Sequence, residues 1–507
     1  MADKKTEQLA ALLSDVMALR KEVADGRSTY RAWRDRIKRP AFAASALSFA
    51  HYLELRRIDL RPLQRRLMVL GLSSLGRCEG HVLATLDAIA WALARMAGQA
   101  SHSSSSDRQF LRGERQLRLS AVELFGPLRE GRAGRIMVTL GTEAAGDPGF
   151  IADLAARGAD VVRINCGHDD ADIWRRMIEN TRAAVRVRPL RVLMDIAGPK
   201  VRTKRVLTPS DRSNLRVGDQ ILLCRDVDAG RTEFPFQSTC APAGVMDRLK
   251  IGDVVSIDDG KLRGAIVAEA EGGFAVGVTE GRLKGVKLKS GRGINFPAVD
   301  LKLDPLTEKD RRDLDFVALH ADLVGHSFVQ NADQVATLQR ELAARRPDWQ
   351  RLGLVAKIET PAAVSNLPEI IVQAAGHQPL AVMIARGDLA VEIGFERVAE
   401  IQEEILWLCE AAQIPAIWAT QVLEGLIQEG LPSRGEITDA ATAAQAECVM
   451  LNKGPNLAAG VGALDRLLKR MGENQAKKTP TLRALHSWPE RFAHGQTPDG
   501  WQAIDPV

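Results

Sequence analysis

The sequence predicts an α/β protein: a (β/α)8 TIM barrel carrying an inserted small β domain and an extra N-terminal α-helical domain. Three observations predict it. Eight short apolar, β-branched runs occupy residues 135–140, 161–165, 191–196, 323–328, 352–359, 381–386, 416–421 and 448–452. Stretches of helical periodicity separate most of them, as at 149–157, 333–345 and 398–413. Alternating strands and helices favour a parallel sheet, and eight such units favour a closed barrel. Lastly, the helical period disappears between the third and fourth runs, where glycine-broken β segments such as 220–223, 253–257 and 274–278 take over.

Residues 1–100 read as the helical domain. Apolar residues recur at helical spacing over 5–25 and 60–97, and 71–98 is long enough for a substantial helix. Arginine is dense over 31–39 and 56–66. A basic helical module can bind nucleic acid or an anionic metabolite. Interleaved apolar residues and carboxylates favour a packed bundle with a solvated face, so packing or homo-oligomerisation is expected and nucleic acid is not. Residues 101–133 are expected to form a linker and lead-in, opening on a serine-rich stretch. The barrel is then expected in two parts, 134–203 and 291–471, around an inserted domain at 204–290. Residues 472–507 form a polar tail with four prolines, too short and too polar for a domain.

Composition sets outer limits. A chain of 507 residues has room for two or three domains and a large core. A net charge of +5 is modest for this length and argues against an obligate polyanion partner. The six cysteines (Cys78, Cys166, Cys224, Cys240, Cys409 and Cys448) contain no C-x-x-C pair, which suggests neither a disulfide framework nor zinc. Cys166, beside Asn165, reads as an inert buried thiol ahead of an oxidation-sensitive one. The charged N-terminus lacks a signal-peptide core, and the run at 82–97 is interrupted by Asp87 and Arg95. A cytoplasmic protein without a membrane partner is expected.

Polar residues gather where the apolar runs stop: Arg163 and Asn165, Asp195, Ser327, Lys357 and Glu359, Arg386 and Asp388, Thr420. Catalytic side chains of TIM barrels sit at the C-terminal ends of the strands. Lys357 and Glu359 are two apart, so on a strand they point to one side. A fixed cation beside a carboxylate, with Asp388 nearby, suits a magnesium-held phosphate or enolate. The same spacing also fits a surface ion pair.

Several blocks sharpen this reading. They are Val-Arg-Ile-Asn-Cys-Gly-His at 162–168, Met-Asp-Ile-Ala-Gly-Pro-Lys-Val-Arg-Thr at 194–203 and Ile-Asp-Asp-Gly at 257–260. Gly-Ile-Asn-Phe-Pro at 293–297, Leu-Thr-Glu-Lys-Asp at 306–310, Ala-Lys-Ile-Glu at 356–359 and Ala-Arg-Gly-Asp-Leu at 385–389 follow. Ala-Thr-Gln at 419–421 and Pro-Ser-Arg-Gly-Glu at 432–436 complete the series. Together they resemble the pyruvate kinases over roughly 134–452. The resemblance implies transfer of the phosphoryl group of phosphoenolpyruvate to ADP, giving pyruvate and ATP, with Mg2+ (or Mn2+). It makes Lys357 the cation on the phosphoryl group and enolate oxygen, and Glu359 and Asp388 the metal carboxylates. Arg163 would grip the phosphate, and Thr420 would assist proton delivery at the enolate carbon. Gly387 would let the substrate carboxylate approach, with Ser327 at the same substrate site. Arg202, His168, Asn165 and Arg292 would serve the nucleotide. The inserted domain corresponds to the family's mobile lid, whose closure excludes water.

The departures are informative. Lys200 stands where potassium-dependent members carry glutamate, and Gly167 and Ile196 replace two oxygen ligands of the monovalent-ion site. The expectation is that Lys200 fills that site, paired with Asp195 beside Asn165, so that K+ is not required. On the nucleotide side, Gly141-Thr142, Asn452-Lys453-Gly454-Pro455 and Gly291-Arg292 depart from the usual pattern, and no Gly-x-x-x-x-Gly-Lys-Ser/Thr loop occurs. The family's C-terminal effector domain has no counterpart, so regulation by sugar phosphates there is expected to be absent. Two alternatives stay open: another metal-enolate barrel enzyme acting on pyruvate or oxaloacetate, and a non-catalytic phosphoenolpyruvate sensor.

Overall fold

The computed structural model describes residues 2–99, 106–184, 188–297, 299–477 and 479–480. Eight parallel strands close a barrel: β1 (Arg135–Thr139), β2 (Val161–Asn165), β3 (Arg191–Asp195), β4 (Leu323–His326), β5 (Gly353–Ile358), β6 (Leu380–Ala385), β7 (Ala416–Ala419) and β8 (Cys448–Leu451). Each pairs with its sequence neighbours, and β8 returns to β1 with Arg135 opposite Cys448. Strands covered on both faces read as unbroken apolar runs, which is why all eight were legible. Met137, Val161, Leu193, Leu323, Val355, Met383, Ile417 and Met450 fill the barrel. The alternate residues, such as Ile136, Val162 and Leu354, face the surrounding helices.

Residues 101–133 are more than a linker. Beyond residues 101–105, which lie outside those described, the chain forms a short helix (Asp107–Phe110) and then Arg112–Phe125. One face of the longer helix, with Leu117, Ala121, Leu124 and Phe125, is buried, while Arg112, Arg115 and Arg118 are exposed. Ala121, Leu124 and Phe125 plug the barrel from below. Gly353 makes room for the plug: a Cβ there would lie 2.6 Å from Leu124 Cδ2.

The inserted domain leaves after β3 and returns before β4. Its seven-stranded sheet begins with Arg202–Leu207 and ends with Ile294–Asn295, so it is wider than the expected 204–290. Both end strands pair inside the domain, with Gln237–Ala241 and Val254–Ile257 respectively. Ile221, Leu223, Phe236, Val255 and Val276 form a core of its own.

The N-terminal helices include Ala2–Ala24, Pro40–Leu55 and Val82–Met96. Their core of Val16, Phe49, Leu86 and Leu93 is continuous with the barrel's outer layer. Trp33 Nε1 donates to Glu369 at 2.9 Å, Ser45 Oγ to Gln413 at 2.6 Å, and Arg56 stacks 4.9 Å over Trp407. The last barrel helix runs over Leu457–Asn474, and a two-residue hairpin follows. The rest of the expected tail lies outside the described residues. No helix among the described residues is long and apolar enough to cross a membrane.

Candidate active site

Residues at the C-terminal ends of β1 to β5 form one connected network. Lys357, on β5, extends its ammonium to Ser327 Oγ at 2.8 Å, Glu359 Oε1 at 3.1 Å and Asp195 Oδ2 at 3.2 Å. Arg163, from β2, donates its Nε to the same Asp195 oxygen at 2.9 Å and Nη1 to Thr139 at 3.1 Å. Ser327 donates to the Ile196 carbonyl at 2.7 Å. All six polar side chains of this knot are buried, and Asp195 is 1% exposed. Buried charges persist only when paired and hydrogen-bonded, which this arrangement provides.

The electrostatics follow from burial and pairing. Burial pulls the Lys357 pKa down, but Asp195 and Glu359 outweigh it and hold it above the usual lysine value. Burial pushes Asp195 up, yet Lys357 and Arg163 bring it below the carboxylate range. Glu359 goes the other way: burial, with Asp388 adding to it, raises its pKa despite Lys357. Its second oxygen accepts the Phe328 amide at 2.5 Å. A buried carboxylate pushed toward protonation by a second carboxylate is a place where a cation is favoured.

Glu359 and Asp388 therefore suit a hard divalent ion. Among the described residues no cluster of three or more protein ligands exists.

Beyond β6 the chain enters the helix Arg386–Ile393, bringing Gly387 and Asp388 to the mouth. A Cβ on Gly387 would meet Thr420 Cγ2 at 2.7 Å. Thr420 follows β7 and has φ +70°, a left-handed conformation that a β-branched residue rarely adopts. Arg386 holds it there: Nε donates to the Ala419 carbonyl at 2.9 Å and Nη2 to the Thr420 carbonyl at 2.7 Å. Asp439 pairs with the same guanidinium, which lies 4.6 Å over the Trp418 ring. Strain of this kind collects at functional sites. The sequence marked Arg386 as a strand-end charge but gave no sign of this bracing.

Lys200 is not where it was expected. Its ammonium lies 2.7 Å from Asp388 and 3.6 Å from Asp259, over the Phe328 ring, and not against Asp195. Asp195 is already saturated by Arg163 and Lys357, whereas Asp388 offers a free carboxylate. Asn165 is likewise engaged, accepting the Gly167 amide at 3.0 Å.

The nucleotide-side residues are more open. His168 and Arg202 are exposed, and Arg202 donates to the Gly291 carbonyl at 3.1 Å. The His168 pKa is lowered first by partial burial, then by Lys453, with Arg202 and Arg163 adding to it. Lys453, in a block the sequence already placed on the nucleotide side, thus joins this basic cluster. Arg292 lies 3.2 Å from Asp258 of the inserted domain. Cys166 is buried, and burial pushes its thiol pKa far up, so it is the inert thiol.

Fold and mouth define the class, a (β/α)8-barrel enzyme with its polar groups at the strand ends. Residues 131–460 match the family described as pyruvate kinase, barrel domain. The chain belongs to the pyruvate kinase family. It is 34% identical over 377 residues to a pyruvate kinase of Methylorubrum extorquens, covering 72% of this chain and 74% of that one. It is 31% identical to one of Dictyostelium discoideum (63% and 61%) and 33% to one of Agrobacterium vitis (64% and 64%). The chain thus spans less than two thirds of the length of these last two relatives.

Proposed function

We propose that the protein transfers the phosphoryl group of phosphoenolpyruvate to ADP, yielding pyruvate and ATP. The bond between the phosphorus and the enol oxygen breaks, a bond to the ADP β-phosphate oxygen forms, and the enolate takes up a proton. Lys357 and Arg163 supply fixed positive charge for the travelling phosphoryl group, and Asp195 holds both cations in place. A magnesium ion on Glu359 and Asp388 would neutralise charge on the phosphoryl and enolate oxygens. Gly387 leaves space for the substrate carboxylate, and the Thr420 hydroxyl serves the proton path. Ser327 orients Lys357. Arg202, His168, Asn165 and Arg292 face the nucleotide, and the inserted domain closes over it.

Potassium is not required on this reading, because Lys200 brings an ammonium to the mouth. The cytoplasm as location and a homo-oligomeric state belong to the same proposal. The observation that carries the reading is the buried knot of Arg163, Asp195 and Lys357 beside Glu359. Two buried cations converging on one carboxylate exceed what a proton-transfer enolate enzyme needs and suit a transferring phosphate.

The test is pyruvate formation from phosphoenolpyruvate with ADP and magnesium, in sodium buffer and then with added potassium. Full activity in sodium supports both parts. Activity only with potassium keeps the kinase and removes the role given to Lys200. No activity with any nucleoside diphosphate would overturn the kinase reading.

A further inference from the structure

At the end of the barrel opposite the mouth, a cleft of about 920 Å³ opens between the N-terminal helices and the barrel floor. Its base is apolar, with Leu124 of the plug, Leu352 and Pro379. Its wall carries five basic side chains against three carboxylates.

The carboxylates are already taken. Glu123 pairs with Arg39, and Asp348 with Arg346 at 2.7 Å. Asp322 accepts from Arg182 at 2.8 Å and from the Val192 amide at 2.8 Å. Three cations have no ion pair within 4 Å among the described residues: Lys38, Arg191 and Arg351, the last acting on Asp348 only at longer range. They come from three segments far apart in the chain, and the backbone fixes each one. The amides of Lys38 and Arg39 both donate to the Gly376 carbonyl at 2.7 Å. Gly376 is packed so closely that a Cβ would lie 2.6 Å from the Arg36 carbonyl oxygen. Arg191 opens β3, with its amide on the Asp160 carbonyl at 3.1 Å. Arg351 ends the turn Trp349–Arg351 that leads into β5.

Like charges lining one cleft repel one another, and an anion between them relieves that repulsion. Two guanidinium forks and one ammonium match the geometry of phosphate or carboxylate groups. We propose that this cleft binds a small organic anion carrying two or more phosphate or carboxylate groups, held between Lys38 on the N-terminal module and Arg191 and Arg351 on the barrel. The site lies across the barrel from the phosphoenolpyruvate mouth and does not depend on the reaction assigned there. Its volume suits a metabolite and is too small for a macromolecule.

Thermal unfolding of the full chain, at constant ionic strength and without divalent ions, tests this. Pyrophosphate and citrate serve as separate probes, with chloride as the control. A saturable rise in Tm beyond chloride is expected, because a ligand of the folded state stabilises it by mass action. A response to pyrophosphate alone assigns a phosphorylated ligand, and a response to citrate alone a carboxylate one. Lys38→Ala and Arg351→Ala, both at exposed positions, are each expected to weaken the apparent affinity at least about tenfold. No saturable rise with either probe overturns the proposal. So does a rise that either variant leaves unchanged, or one abolished by Lys357→Met, which would put the anion in the mouth.

Discussion

Lys200 donates to Asp388 across 2.7 Å, joining the strap that leads into the inserted domain to a candidate metal carboxylate. The same ammonium is 3.6 Å from Asp259 within that domain. One side chain therefore touches both a candidate metal carboxylate and the inserted domain. Lys200→Glu would set a carboxylate against both acids. Turnover in sodium buffer is expected to fall, with potassium restoring part of it. If the variant stays fully active and indifferent to potassium, Lys200 does not replace the monovalent ion.

Lys357→Met removes the buried ammonium to which the proposed reaction assigns the phosphoryl group. A loss of about 10²–10³-fold in kcat is expected, with phosphoenolpyruvate still bound. Steady-state kinetics with a separate binding titration checks this. A rise in KM with unchanged kcat would show Lys357 to be only a ground-state contact.

Asp195→Asn leaves two buried cations without their shared counter-charge. Truncating one partner of a buried pair costs about 3–5 kcal/mol. Urea unfolding at neutral pH is expected to show a loss of that order, and a change below about 1 kcal/mol would contradict the paired geometry.

Gly387→Ala places a methyl group 2.7 Å from Thr420 Cγ2, where neither backbone can give way easily. The substrate carboxylate then loses its close approach, and KM for phosphoenolpyruvate is expected to rise at least about tenfold. Wild-type KM in this variant would mean that the carboxylate binds elsewhere.

His326 is fully buried, and neither of its ring nitrogens has a hydrogen-bond partner among the described residues. Burial first, then Lys357, lower its pKa to about 4. The unfolded value is about 6.5, so between the two the unfolded chain binds more protons. Stability is then full above about pH 6.5 and falls as the pH drops toward 4. From about pH 7 to about pH 5 the loss due to His326 is about 2 kcal/mol. His51, also lowered to about 4 by burial, adds in the same direction. Urea unfolding of His326→Leu at the two pH values is expected to show a shallower slope than wild type. An unchanged slope would exclude His326 as its source.

The barrel was legible because each strand is buried on both faces and its sequence carries that burial without interruption. That polar residues would gather at one mouth was legible because TIM-barrel chemistry sits at strand ends, whereas the Lys357–Glu359 spacing alone fitted a surface ion pair equally well until the fold buried it. What escaped depended on neighbours distant in sequence. The plug helix hid behind Arg112, Arg115 and Arg118, whose charges broke up the apolar face that Leu117, Ala121 and Leu124 bury. The partner of Lys200 could not be read from spacing: the expected Asp195 is already claimed by Arg163 and Lys357, and the fold sets Lys200 against Asp388 instead.

The N-terminal helices lie against Glu369, Gly376, Trp407 and Gln413, on the outer wall around β5 to β7. That sector of the cylinder has a permanent tenant supplied in cis. A second copy of the chain cannot pack directly on that part of the barrel wall while these helices cover it, so any contact on that side would be made to the helices themselves.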